Sequence, residues 1–179
     1  MMGRTHLLLG INALWLLEVG PLPSPDRFVL AVAGAALGSL LPDLDARASL
    51  LQTIRIGGVA PLVLPARLLN HLFGHRGALH SLLALGVLAL LALPLLGIEP
   101  LLWLGLLLGY ASHLIGDACT RHGIPLFFPS RTRVHLLPRP FRLSTGSLAE
   151  DALLVLLALG CLTLLLRHLL GMSGQLTLE

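Results

Sequence analysis

Long apolar stretches, rich in leucine, alternate along the chain with short breaks carrying proline, glycine or charge. Five stretches stand out: Thr5–Val19, Phe28–Leu41, Ala78–Ile98, Leu101–Cys119 and Leu148–Leu170. The last three approach the roughly 20 residues a helix needs to cross the hydrocarbon core. The first two, at about 14 or 15 residues, must tilt little, extend into flanking polar residues or sit in a locally thinned bilayer. Pro21, Pro23 and Pro25 break the chain between them and predict a tight helical hairpin, and Gly97-Ile-Glu-Pro100 joins the third and fourth. Between the second and third lies Pro42–Gly77, whose Ile56–Leu72 portion is moderately apolar. Gly57, Gly58, Pro61 and Pro65 argue there against a straight span and for a broken interfacial or re-entrant helix. Arg121–Gly146, rich in Pro and Arg, reads as an ordered polar loop. Ser147-Leu-Ala-Glu150 then forms a capping box for the last helix, where Asp151 also favours the helix dipole. The pattern predicts an all-α, polytopic integral membrane bundle of about five transmembrane helices plus that interfacial helix, as one domain over residues 1–179.

Composition sharpens this. The chain is 55% hydrophobic and 12% charged, with mean hydropathy +0.87, against roughly 25% charged in an ordinary soluble domain. All twelve basic residues are Arg, and the formal charge is +3. A pI near 9.7 would suit nucleic acid, but basic loops of a membrane protein report topology, so the expected partner is the lipid bilayer and not nucleic acid. With the N-terminus in the cytoplasm, Arg4, Arg47, Arg55, Arg67, Arg76, Arg121, Arg131, Arg133, Arg139 and Arg142 fall inside, and only Arg27 and Arg167 outside. That bias orients the chain in a bacterial or archaeal cytoplasmic membrane. Asn12 and Glu18 interrupt the first stretch and no small-x-small cleavage site follows, so it is expected to stay in the mature chain. Cys119 and Cys161 lie in apolar runs without metal-ligand spacing and read as free thiols.

On that topology the unusual polar residues gather at one level. His6 lies at the cytoplasmic end of the first span, and Asp43 and Asp45 just past that of the second. His75, Arg76 and His80 flank the start of the third, His113 and Asp117 fill the last turns of the fourth, and Glu150 begins the fifth. His113 and Asp117, four apart, share one helix face. His75 and His80 are separated by about 500° of helical rotation, so His75 belongs to the loop and His80 to the first turn. Imidazoles and carboxylates in this number suit one or two divalent ions, zinc first and manganese second, and the ion's charge offsets carboxylates at a membrane boundary. An ion with an open position lowers the pKa of its water towards ~7. Asp45 or Glu150 can then serve as general base, and Arg76 can hold a phosphate through two hydrogen bonds.

The motifs Arg4-Thr-His6, Leu41-Pro-Asp-Leu-Asp45, Gly74-His-Arg-Gly-Ala-Leu-His-Ser81 and Gly109-Tyr-Ala-Ser-His-Leu-Ile-Gly-Asp117 resemble the YdjM-like family. The region Thr120–Pro129, with Gly123-Ile-Pro-Leu and Phe128-Pro, is similar as well. Members of that family are described as membrane-bound, metal-dependent hydrolases, some of them LexA-regulated, and are grouped with zinc-dependent phospholipase C and related nucleases. The resemblance implies phosphoester hydrolysis, with His6, Asp43, His75, His80, His113 and Asp117 as metal ligands. A site at headgroup depth points to a lipid or lipid-linked substrate. Where family members often carry a polar residue or His soon after the second Asp, this chain has Ala46-Arg47.

Structural readings stand beside these. His113 and Asp117 can be a hydrogen-bonded pair joining two membrane helices, Asp43 and Asp45 a solvated helix end after Pro42, and Glu150 a capping residue. His71, His122, His135 and His168 lack a spaced partner and are assigned no site role. The rival functions are a non-catalytic membrane protein with a structural metal site and a small transporter. A transport pathway, however, should continue across the membrane, whereas these polar groups stop at one face.

Overall fold

The computed structural model describes residues 1–17, 24–46, 55, 57–61, 63–64 and 77–176. Within them the chain is helical, with isolated bridges in place of strands. Helix α1, Gly3–Asn12, continues as a 3-10 turn over Ala13–Leu17. Helix α2, Pro25–Leu40, starts with proline in its first turn, where a missing N–H costs nothing, and with Asp26 against the positive helix end. A 3-10 turn, Pro42–Asp45, follows α2, and a second, Ala78–His80, precedes α3, Leu82–Leu91. Helix α4 is Leu93–Ile98, α5 is Pro100–Ala118, and α6 is Leu148–Leu176.

Two helices, Pro100–Ala118 and the Leu148–Leu170 part of α6, are long and apolar enough to cross a membrane. The first two expected spans are as short as their 14 or 15 apolar residues predict, and the third is broken. The first is ten α-helical residues plus the 3-10 extension, and the second has 16 residues. The third divides at Ala92, because Pro94 has no N–H to offer the carbonyl four residues back. The interfacial or re-entrant helix expected within Ile56–Leu72 falls largely outside the described residues.

The closest packing lies between α2 and α5. Gly34 and Gly38 on α2 face the backbone of Leu102 and Leu106, while Gly105 and Gly109 on α5 face the backbone of Ala31 and Ala35. A Cβ at any of these glycines would collide with main-chain atoms that have nowhere to move. Each helix thus offers a G-x-x-x-G face to the other, the arrangement by which membrane helices gain van der Waals contact when lipid offers no hydrophobic drive between them. This seam sets the C-terminal ends of α2 and α5 side by side, and those ends carry Asp43, His113 and Asp117.

Helix α1 lies against α2, α5 and α6 together. One apolar core forms from Leu14, Phe28, Ala31, Ala35 and Leu164, and a second from Tyr110, Leu114, Ala118 and Ile124. The segment after α5 folds back on its end: the Leu136 N–H donates to the Ala118 carbonyl at 2.9 Å and the Leu143 N–H to that of Cys119 at 3.1 Å. The Leu82 N–H donates to Leu126 at 2.9 Å, tying this segment to the start of α3. Ser147 accepts the Glu150 N–H at 3.4 Å, as a capping box requires, but the Glu150 carboxylate reaches back to Gly146 rather than Ser147.

Candidate functional site

Five side chains from four helical elements converge. His6 comes from α1, Asp43 from the turn after α2, His80 from the turn before α3, and His113 and Asp117 from α5. His6, His80, His113 and Asp117 are fully buried, while the Asp43 side chain keeps 18% exposure and marks the open side of the cluster. His80 Nε2 lies 3.6 Å from Asp43 Oδ1 and 3.6 Å from Asp117 Oδ2. His113 Nε2 lies 3.3 Å from His80 Nε2, 3.8 Å from Asp43 Oδ1 and 3.9 Å from Asp117 Oδ2. His6 Nε2 lies 3.2 Å from Asp117 Oδ1, and the His6 ring stacks on that of His113 with centroids 3.6 Å apart.

Local contacts hold each group. His113 Nδ1 lies 2.7 Å from the Ser39 carbonyl on α2. That oxygen can only accept, so Nδ1 carries the proton and the Nε2 lone pair is turned into the cluster. The Tyr110 hydroxyl donates to the Leu79 carbonyl at 2.5 Å, pinning the turn that carries His80 onto α5. Ser81 accepts the Ala84 N–H at 3.2 Å and caps α3 directly after His80. Asp117 also accepts a hydrogen bond from the Met1 α-amino group at 2.5 Å. Burial alone would raise the Asp43 pKa, but the close approach of His80 and the fields of His113 and His6 hold its carboxyl well below the usual range.

The donor set fits a divalent cation. The possible ligand atoms of His6, Asp43 and His113 all lie within 4.8 Å of one another, and so do those of His80, His113 and Asp117. Mixed imidazole and carboxylate donors suit zinc or manganese. The buried carboxylate of Asp117 and the partly exposed one of Asp43, next to facing imidazole nitrogens, carry a desolvation cost that an ion's charge offsets. His6 Nδ1 is buried with no hydrogen-bond partner among the described residues, an orphaned group that a polar protein interior rarely tolerates.

The other residues singled out in the sequence fare differently. His75 and Arg76 lie outside the described residues, as does the side chain of Asp45. Glu150 is buried, but its two oxygens accept the Met2 N–H and the Gly146 N–H, each at 2.7 Å. Among the described residues it joins none of the groups able to hold a metal; it fastens the chain ahead of α1 to the start of α6, and so helps to place His6. Hydropathy and spacing missed this tie because it spans 148 residues. They also missed Tyr110, whose aromatic character in an apolar helix carries no sign of a distant carbonyl. His168, given no site role, stacks on Phe28 with centroids 3.5 Å apart, at the other end of α6 from Glu150.

The family model described as YdjM inner membrane protein matches residues 1–173. The chain is 35% identical over 163 residues to the uncharacterized protein YvsG of Bacillus subtilis (strain 168), covering 89% of this chain and 91% of YvsG. It is 37% identical over 126 residues to inner membrane protein YdjM of Escherichia coli (strain K12), covering 66% of this chain and 59% of that protein. No solved structure matches it.

Proposed function

Because the chain belongs to the YdjM inner membrane protein family, we propose that its buried histidine–carboxylate cluster is the metal site of a membrane-bound hydrolase acting on a phosphoester in a lipid or lipid-linked substrate. The observation that carries this reading is the convergence of His6, Asp43, His80, His113 and Asp117, with the His113 lone pair turned inward by Ser39. These five would hold the ion, zinc before manganese, and the sequence adds His75, five residues ahead of His80. When bound, a divalent ion supplies Lewis acidity and a water acidified towards neutral pH.

The chain's own groups do the rest. Asp43 stays ionised at the opening of the cluster. Asp45, two residues on, takes the proton of the attacking water as general base. Arg76, four residues ahead of His80, pairs with phosphate oxygens and fixes the phosphorus centre for attack. Glu150 acts at a distance, as a positioning residue for α1. Ten of the twelve arginines favour the orientation with the N-terminus and the cluster on the cytoplasmic side, and the five apolar stretches support a five-span bundle whose shorter members sit in thinned lipid. At that depth a lipid headgroup meets the cluster more readily than a polymer does.

Metal analysis of protein extracted in mild detergent, joined to a turnover screen of phospholipids and polyprenyl phosphates, tests the proposal. Expected are stoichiometric metal and metal-dependent release of a phosphomonoester from a phospholipid or of phosphate from a polyprenyl phosphate, with metal and turnover both lost in the His113→Ala/Asp117→Ala double variant. Substoichiometric metal in the unaltered protein, or metal unchanged in the double variant, would end it. Complete burial of four of the five cluster residues favours a second reading, a structural metal site in a membrane scaffold. Full metal occupancy with no turnover of any lipid supports that one instead.

A further inference from the structure

Beside the cluster lies a cavity of about 400 Å³, small within the ~300–1,000 Å³ range of ligand pockets. Its walls are apolar, and two of them are built from the same turns that carry cluster residues. In the turn after α2, Leu41 and Leu44 line the cavity while Asp43, between them, meets His80. Three residues make one 3-10 turn, so Leu41 and Leu44 lie on one side and Asp43 on another. In the turn before α3, Ala78 and Leu79 line the cavity and His80 enters the cluster. From there the cavity follows α3 past Ala84 and Leu88 to Leu91, with Tyr110 of α5 behind it. From Leu83 to Leu91 that is about 12 Å of helix.

We propose that this cavity is a slot for one hydrocarbon chain of an amphiphile whose phosphate end lies at the cluster. The inference rests on the hydrolase reading and adds how the substrate is held. The cavity shares two turns with the cluster, and that adjacency decides the occupant. A hydrocarbon chain lying along α3 ends at the two turns, where Asp43 is the partly exposed cluster residue. Leu83, Val87 and Leu91 are exposed along α3, so the slot is entered sideways from the hydrocarbon layer. A volume of this size takes one chain and leaves the other chains of a lipid outside. Because lipid tails are as apolar as leucine, the slot selects by shape and length and not by hydrophobicity.

Photocrosslinking in phospholipid nanodiscs tests the slot with a phospholipid that carries a diazirine on one acyl chain. Adducts should concentrate on Leu82–Leu91, and Ala84→Trp, which fills the slot, should lower them about tenfold. Adducts on the outward residues Leu159 and Leu166 of α6 should stay unchanged. Should Ala84→Trp fail to fold, Leu88→Ala widens the slot, and its adducts should move to different wall residues; an unmoved pattern counts against the proposal. Equal labelling of α3 and α6 overturns it, and so do crosslinks showing that a second copy or residues 47–76 of the same chain fill the slot. Turnover is scored on the same samples. Slot adducts without turnover of any phosphoester retire the hydrolase reading and leave the slot standing, whereas turnover without slot adducts retires the slot alone.

Discussion

Helices α5 and α6 are both long and apolar enough to cross a membrane, yet they are used in opposite ways. Half of the α5 stretch is buried, 50%, against 11% of the α6 stretch. Helix α5 buries glycines against α2 and ends in His113 and Asp117. Helix α6 turns Val155, Leu156, Leu159, Leu162, Leu165, Leu166 and Leu170 outward. Its ties to the rest include Glu150 and Asp151 at its start, Leu157 and Cys161 beside Asn12, Leu164 in the core, and His168 on Phe28. By length and hydropathy both helices qualify as spans, α6 being the more apolar. What separates them is where small and polar residues sit, because those set how closely a backbone can approach its neighbour and which groups it can deliver.

The sharpest way to break the comparison is to add a side chain at the seam. Gly38→Leu or Gly109→Leu should cost more than ~3 kcal/mol, beyond ordinary overpacking, because the obstructing atoms are backbone. Lost monodisperse protein, or a large fall in thermal midpoint in detergent, would register it. Leu156→Ile on the outward face of α6 should stay within about 0.5 kcal/mol. Equal tolerance at both places would mean that α2 and α5 do not pack as described.

Next in size is the effect on metal. Asp117→Asn keeps the shape of a buried side chain but removes a carboxylate that approaches His6 and His80. Metal affinity should fall by at least about 100-fold, read by competition with a chelator. Asp151→Asn, at an exposed pair with Arg4, should leave it unchanged. Removing Glu150 tests the positioning role: Glu150→Gln should cost about 1–3 kcal/mol in stability, since one charge-assisted acceptor becomes a donor facing an N–H. Its bound metal should be held more weakly but not lost. Complete loss of metal with unchanged stability would place Glu150 among the ligands instead.

The legible part of the molecule was what depends on short-range pattern. Apolar runs located the helices, and the i, i+4 spacing located His113 and Asp117 on one face. The alternation of apolar stretches and breaks then placed His6, Asp43 and His80 at the same end without using any contact. Helix continuity was less legible, since Pro94 lies inside an unbroken apolar run and divides it only through a missing hydrogen bond. The G-x-x-x-G pair was written in the chain at Gly34, Gly38, Gly105 and Gly109, but an average over hydropathy weights a glycine weakly and says nothing of its partner. Glu150 had a complete local explanation as a capping residue, and its contact with Met2 exists only once α1 and α6 meet.

The smallest expected effect probes that same meeting of α1 and α6. The Asn12 side-chain amide donates to Leu8 O at 2.8 Å and Leu157 O at 2.9 Å and lies 3.1 Å from Cys161 Sγ. Such bonds between membrane helices average about 0.6 kcal/mol, because the separated helices also find partners. Asn12→Ala should therefore cost little. The informative partner is Gly160, where an added Cβ would strike the Asn12 side chain and nothing else nearby. Gly160→Ala alone should destabilise, since the amide must give up its position. In an Asn12→Ala background the clash is gone, and the ~1 kcal/mol helix preference of Ala over Gly remains. The same substitution should then become neutral or stabilising. A thermal double-mutant cycle in detergent reads this reversal of sign, and additive effects would show that α6 does not dock on α1 at Asn12.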